Sequence, residues 1–211
     1  AITINDTLYC KRERIDNGPQ QEYSTSGTPA DCVKLAVHEL LERKPDLCVS
    51  GINHGSNSSV NVIYSGTMSA AVEGALERIQ AIGFSLCEFS WEASFEAAKP
   101  YVRKVIKATL ENGLPSGVCL NVNIPENNKA PYKGMRVCRQ AIGNWVEEFD
   151  SRIDPFGRPY YWLTGKYENY DHGDDTDIAA LEDGYISVVP ITVDLTAHHA
   201  VATLNQWNFE K

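Results

Sequence analysis

Asn53, His54, Asn57, Ser58, Ser59, Asn61 and Ser65 crowd into one short stretch, with Gly51, Gly55 and Gly66 beside them. Residues 46–74 read DLCVSGINHGSNSSVNVIYSGTMSAAVEG, and no Asp, Glu, Lys or Arg falls between Leu47 and Val72. Carboxamides and hydroxyls in such a loop supply neutral hydrogen-bond donors and hard oxygen acceptors. Glycines let the backbone approach a ligand closely. Ser65-Gly66-Thr67 opens an alanine-rich helical stretch, whose first N–H groups are unpaired and carry partial positive charge. That end suits an anion, and Asn57 and Ser65 can add side-chain donors. Asn53 offers a carbonyl oxygen at a strand terminus, a suitable ligand for Mg²⁺ or Mn²⁺. From composition alone the plainer alternative is favoured: a polar loop in which Ser65 or Thr67 is an ordinary helix cap. Neither GxxxxGK nor GxGxxG is present to sharpen the signal.

Other reactive side chains offer less. His54 beside Asn53 can serve as a proton donor, but a loop histidine is more often simply solvated or hydrogen-bonded. His198 and His199 are adjacent, so in a helix they point apart. Asp171, Asp174, Asp175 and Asp177 in DHGDDTD fail the EF-hand template and read as loop solvation and as charge at a helix N-terminus. The six cysteines form no CxxC pair, and most sit in apolar runs such as DLCVSG and GVCLNV. They read as small buried hydrophobes in a reducing compartment. No serine lies in GxSxG, which disfavours covalent hydrolase chemistry.

The chain has 211 residues, 43% of them hydrophobic, enough for a single domain spanning 1–211. Its formal net charge is −9, and the densest basic cluster, Lys11, Arg12 and Arg14, is interrupted by Glu13. A nucleic-acid polymer is therefore not an expected partner. No apolar run is long enough to span a bilayer and no basic-then-apolar leader is present, so the reading is soluble, non-membrane and cytoplasmic.

Elements must hold the loop in place. Thr28, Pro29 and Asp31 predict a capped helix over 28–43, with Val33, Val37, Leu40 and Leu41 inward. Residues 47–52 read as a buried parallel strand. A helix from Gly66 or Thr67 should bury Val72, Ala75, Leu76 and Ile79 and expose Glu73, Glu77 and Arg78. A strand at 81–87, a helical region at 92–110 broken by Pro100, and a strand at 118–124 follow. This alternation predicts an α/β fold: a three-layer, Rossmann-like core around a parallel-dominated sheet. The second half predicts a strand over 133–141 and a β-hairpin arm over 145–165, turning at Asp154-Pro155-Phe156-Gly157-Arg158-Pro159. A helix over 176–182, a strand over 185–189 and a helical tail over 196–207 complete it. The aromatic arm is either an oligomer contact or folds back on its own domain.

SGINHGSN followed by IYSGTMSAAVEGA resembles the signature of the SurE family of metal-dependent phosphatases. GTPADCV (27–33), LNVNIP (120–125) and TDIAALEDGYISVVPITVDLT (176–196) agree in order and spacing. The resemblance implies a nucleoside 5′- or 3′-monophosphatase, with some members hydrolysing short polyphosphate. It implies that Asn53 is a metal ligand, that Asn57 and Ser65 bond the substrate phosphate, and that Gly66 and Thr67 supply the helix N-terminus beneath it. It also implies a homodimer or homotetramer joined through the arm and a swapped C-terminal segment, here 190–211.

Family members carry an adjacent aspartate pair in an NDDG motif, and a further ligand serine, before the stretch that matches AIT at 1–3. Asn5-Asp6 is not that motif. The expectation is therefore that the 211 residues are an incomplete catalytic unit of a phosphomonoesterase that needs a divalent cation, Mg²⁺ or Mn²⁺. Two alternatives stand beside it: exopolyphosphatase activity on short polyphosphate, and a non-catalytic nucleotide- or phosphate-binding module.

Overall fold

In chain order the computed structural model, which describes residues 2–209, begins with a small antiparallel hairpin of β1 (Cys10–Glu13) and β2 (Glu22–Thr25). Helix α1 (Pro29–Leu35) follows and continues as a wider turn over Ala36–Leu40. Its start is local chemistry. The Thr28 hydroxyl caps the Asp31 N–H, the Asp31 carboxylate caps Thr28 in return, and Pro29 occupies the first turn. Next come β3 (Leu47–His54), α2 (Gly66–Leu76), β4 (Gln80–Leu86), α3 (Lys99–Asn112) and β5 (Val118–Ile124). The second half holds β6 (Met135–Val137), β7 (Gly143–Ile153), β8 (Pro159–Asn169), α4 (Asp177–Glu182), β9 (Ile186–Thr192) and α5 (His198–Leu204).

One five-stranded sheet has the order β3-β4-β5-β9-β6. All its pairs are parallel except β5 with β9. Ile82, Phe84, Leu86, Val122 and Ile124 face one side and pack with Val105 of α3. Ala81 and Cys119 face the other and pack with Met68, Ala71 and Ala75 of α2. Helices on both faces give the expected three layers. The close fit of α2 depends on Gly83, where an added Cβ would lie 2.4 Å from the Met68 sulfur.

The arm is a separate two-stranded sheet, β7 with β8, paired from Gly143↔Asn169 to Ile153↔Pro159. It is longer than the 145–165 expected, because the strands stay paired down to their docked root.

Several expectations need correction. The first helix stops at Leu40, and Leu41 is extended and exposed. Pro45 disfavours helix at the residue before it, and the chain must turn there to enter β3. β3 is an edge of the described sheet and not a central strand, so Val49 is exposed. The buried face of α2 is Met68, Ala71 and Ala75, while Leu76 is exposed. Glu73 is buried and meets Lys34 at 2.6 Å, because α2 packs against α1 as well as the sheet. Residues 92–98 form no helix, and α3 starts afresh at Lys99 with Pro100 in its first turn. Of 133–141 only Met135–Val137 forms a strand. All six cysteines are free, and Cys10 is exposed.

Candidate active site

Strand register gathers a polar row at the end of the sheet where β3, β4 and β5 terminate. Asn53 pairs with Ser85, Ser85 with Asn123, and Asn123 with Ser187. In open α/β sheets this end, beyond the carboxyl termini of parallel strands, is where ligands bind. The row holds the loop. Asn123 Oδ1 accepts the Asn57 backbone N–H at 2.8 Å, and Asn57 Nδ2 donates to Ser85 Oγ at 2.5 Å. Asn121 Nδ2 donates to the Asn57 carbonyl at 2.8 Å, and Asn123 Nδ2 to Asn121 Oδ1 at 2.9 Å. All are buried, so these bonds are made within the protein and not to bulk water. One N–H of Asn57 Nδ2 remains as a donor.

Gly55 makes the turn out of β3. Its φ is +91°, and an added Cβ would meet the Phe89 ring at 2.4 Å. Further along, Ser59 has φ +53°. It is fixed by its N–H to Asp177 Oδ2 at 2.7 Å and its Oγ to the Ala141 carbonyl at 2.8 Å. Tyr167 donates its phenol to the same Oγ. Asp177 also accepts from Ala141 N at 2.9 Å and Ile178 N at 2.9 Å, and burial pushes its carboxyl above the ordinary carboxylate value against those bonds. Asp177 thus sits in the first turn of α4, as the helix N-terminal reading expected, but it is buried inside the molecule and not solvated. Asp171 and Asp175 clamp Arg139.

Ser65 is the N-cap of α2, its Oγ accepting from Met68 N at 3.0 Å. A cap uses a hydroxyl lone pair and leaves the O–H as a donor, so capping and ligand binding are compatible. Among the described residues, the N–H groups of Gly66 and Thr67 have no partner.

A cleft of about 770 Å³ opens here and brings together Asn53, His54, Asn57 and Ser65. Neither Gly66 nor Thr67, both expected at the site, is part of its wall; they lie just past Ser65 in the first turn of α2. His54 sits against Phe95 and Trp91, with ring centroids 5.0 and 5.7 Å away. Its Nδ1 has no hydrogen-bond partner among the described residues. Cys87 also lines the cleft, but burial raises its thiol to about 11, so it is no nucleophile near neutral pH.

Asn53 Nδ2 donates to the Gly55 carbonyl at 3.1 Å, which leaves Oδ1 as its acceptor. That is one neutral oxygen. Among the described residues no three His, Cys, Asp or Glu side chains are grouped to hold a metal ion. The donor set here does not by itself make a divalent-metal centre, because a tightly held cation needs charged oxygen ligands.

From sequence, Ser85, Asn121, Asn123 and Tyr167 have no assigned role, and Trp145 reads only as one of the arm's aromatics. A signal existed for two of them. Asn121 and Asn123 are two apart on an apolar strand and so share a face, where carboxamides require partners.

Fold and site together define an α/β domain with a cleft at the strand termini that reaches the N-cap of α2. A family model described as Survival protein SurE matches residues 1–147. Over 207 residues the chain is 62% identical to "5′-nucleotidase SurE" of Flavobacterium johnsoniae, covering 98% of this chain and 80% of the relative. It is 61% identical over 209 residues to the protein of that description from Christiangramia forsetii, covering 99% and 80%. The crystal structure of SurE protein from Aquifex aeolicus superposes with a TM-score of 0.80 at 35% identity, covering 97% of this chain and 81% of that one. The chain belongs to the SurE family.

Proposed function

We propose that this chain forms the substrate-holding body of a metal-dependent phosphomonoesterase that converts nucleoside 5′-monophosphates to nucleoside and phosphate. The observation that carries the reading is that Asn57 and Ser65 line one cleft, and that the open N–H groups of Gly66 and Thr67 follow directly on Ser65 in the first turn of α2. These groups are neutral donors fixed before substrate arrives. Asn57 is locked by Ser85 and Asn123, and Ser65 by its cap. Donors held in place stabilise charge on the equatorial phosphoryl oxygens without reorganising as the bond to the leaving oxygen breaks. Asn53 is assigned as a ligand to the divalent cation, Mg²⁺ or Mn²⁺, through Oδ1. The relatives described as 5′-nucleotidases support this assignment of activity.

A nucleoside monophosphate suits the cleft better than polyphosphate. The charged residues lining it are Glu126, Lys129 and Glu182. The Lys129 ammonium already donates to the Leu181 and Glu182 carbonyls at 3.0 and 3.2 Å. A polyanion needs a cationic track, and none lines this wall. No helix among the described residues is long and apolar enough to cross a membrane, and we assign the protein to the cytoplasm. We also assign a homo-oligomer, built through the β7–β8 arm with its exposed Phe149, Ile153, Phe156 and Trp162 and through the segment 190–211, exchanged between protomers.

The test is phosphate release from AMP by the full-length protein. EDTA should abolish it and Mn²⁺ or Mg²⁺ restore it. Release that EDTA leaves unchanged, or no release from any nucleoside monophosphate, would refute the reading.

A further inference from the structure

The cleft is far larger than a phosphate group needs, and its volume is that of a site for a whole small molecule. Beyond the phosphate-holding end its wall is aromatic: Tyr64, Trp145, Tyr167 and Phe89. Tyr64 directly precedes Ser65 and is largely exposed. Trp145 stands at the root of the arm and is 39% exposed. A second cavity of about 370 Å³ also uses Tyr64 and Trp145, so this pair forms a ridge with open space on both sides.

Trp145 is held in a fixed pose. Its Nε1–H donates to Asn61 Oδ1 at 2.7 Å, and Asn61 belongs to the same loop as Asn57 and Ser65. Across the strand pair it faces Tyr167, edge to face, with centroids 6.2 Å apart. The Tyr167 phenol is in turn tied to Ser59. An aromatic ring pinned by its polar edge, with a face left open beside an anion site, is a preformed stacking surface. Little ordering entropy remains to be lost when a flat ligand docks on it.

We infer that Trp145, with Tyr64, is the platform for the nucleobase of the substrate, so that the enzyme selects phosphate monoesters carrying a base over those that lack one. The inference rests on the nucleotidase reading above and names the residues that discriminate. Every base presents a π-face, so the platform distinguishes base from no base more strongly than purine from pyrimidine.

The test compares AMP with ribose 5-phosphate on the full-length protein. Wild type should favour AMP in kcat/KM, and Trp145→Ala should lower the AMP to ribose 5-phosphate ratio about tenfold, the size of one base–aromatic stack. Trp145→Phe loses the bond to Asn61 but keeps a ring, and should retain most of the ratio. Tyr64→Ala should lower it in the same direction. Because a structural defect would depress both substrates together, an unchanged ratio in Trp145→Ala overturns the inference whether or not the rates fall. A wild type that does not prefer AMP overturns it too, while leaving the phosphatase reading intact. Wild type that hydrolyses neither substrate sinks that reading instead. Binding then decides the inference alone: AMP, and not ribose 5-phosphate, must quench a tryptophan signal that is missing in Trp145→Phe.

Discussion

The phenol of Tyr167 donates a 2.6 Å hydrogen bond to the hydroxyl of Ser59, 108 positions earlier in the chain. Ser59 is a non-glycine residue in the left-handed region, a conformation that costs about 1–3 kcal/mol and persists only where its surroundings over-determine it. Here the surroundings are Asp177, Ala141 and Tyr167, the last two at the root of the arm. The loop that carries Asn57 and Ser65 and the arm are thus braced against each other.

Removing that brace is a direct check. Tyr167→Phe deletes one hydrogen bond and leaves the Ser59 hydroxyl its bond to the Ala141 carbonyl. We predict a loss of about 1 kcal/mol in urea unfolding. A several-fold lower kcat/KM for AMP should accompany it, since the loop carrying Asn57 and Ser65 loosens. Unchanged stability and activity would mean the contact is incidental.

Asn123 is fully buried and accepts the Asn57 N–H. Asn123→Ala leaves that N–H and the neighbouring Asn121 Oδ1 unpaired. The predicted cost is about 1–3 kcal/mol per abandoned group, read from the urea midpoint at constant m-value. A variant as stable as wild type would show that the row of amides does not hold the loop.

How much of this arrangement was legible beforehand follows the range of the interactions. The capping box of Thr28 and Asp31 and the cap at Ser65 are local, so residue order alone reveals them. The glycine–serine loop at a strand end, and the resemblance it carries, named Asn53, Asn57 and Ser65 as candidates, and the three line one cleft. What stayed hidden depends on register. Ser85 and Asn123 meet Asn57 only because β4 and β5 pair with Ser85 opposite Asn123, which no local pattern specifies. Glu73 looked exposed by helical period, yet a second helix covers it. Asp177 lay in a run of acids that reads as solvated, and only the fold places it between the loop and the arm.

The observed cap at Ser65 can be separated from its proposed contact with phosphate. Aspartate is as good an N-cap as serine, but its charge repels a phosphate at the same spot. Ser65→Asp should keep thermal stability near wild type and abolish AMP hydrolysis. Ser65→Ala should lose about 1 kcal/mol of stability through the missing cap. An active Ser65→Asp enzyme would remove Ser65 from the phosphate site.

Acid sensitivity should be traceable to Asp31. Its carboxylate is held well below the ordinary 3.8, first by the Thr3 hydroxyl, then by the N–H groups of Thr3 and Thr28. Above 3.8 it is charged in both folded and unfolded chains, and its contribution to stability is complete. As pH falls through 3.8 toward the lower folded value, the unfolded chain takes up the proton first and that contribution is lost. The stability advantage of wild type over Asp31→Asn, measured by urea unfolding, should therefore shrink below about pH 3.8. Asp177 has the opposite sign: burial raises its pKa, so its ionisation opposes folding and acidification relieves that opposition. An Asp31→Asn difference that stays constant with pH would contradict the assignment.

The central claim, that the substrate phosphate sits on the open first turn of α2 beside Asn57, is tested most directly by amide NMR of the full-length protein titrated with AMP. Saturable shifts of the Gly66 and Thr67 backbone amides and the Asn57 side-chain amide are expected, and they should be lost in Ser65→Asp. Saturable shifts confined to residues elsewhere in the molecule, with those three groups unmoved, would contradict it.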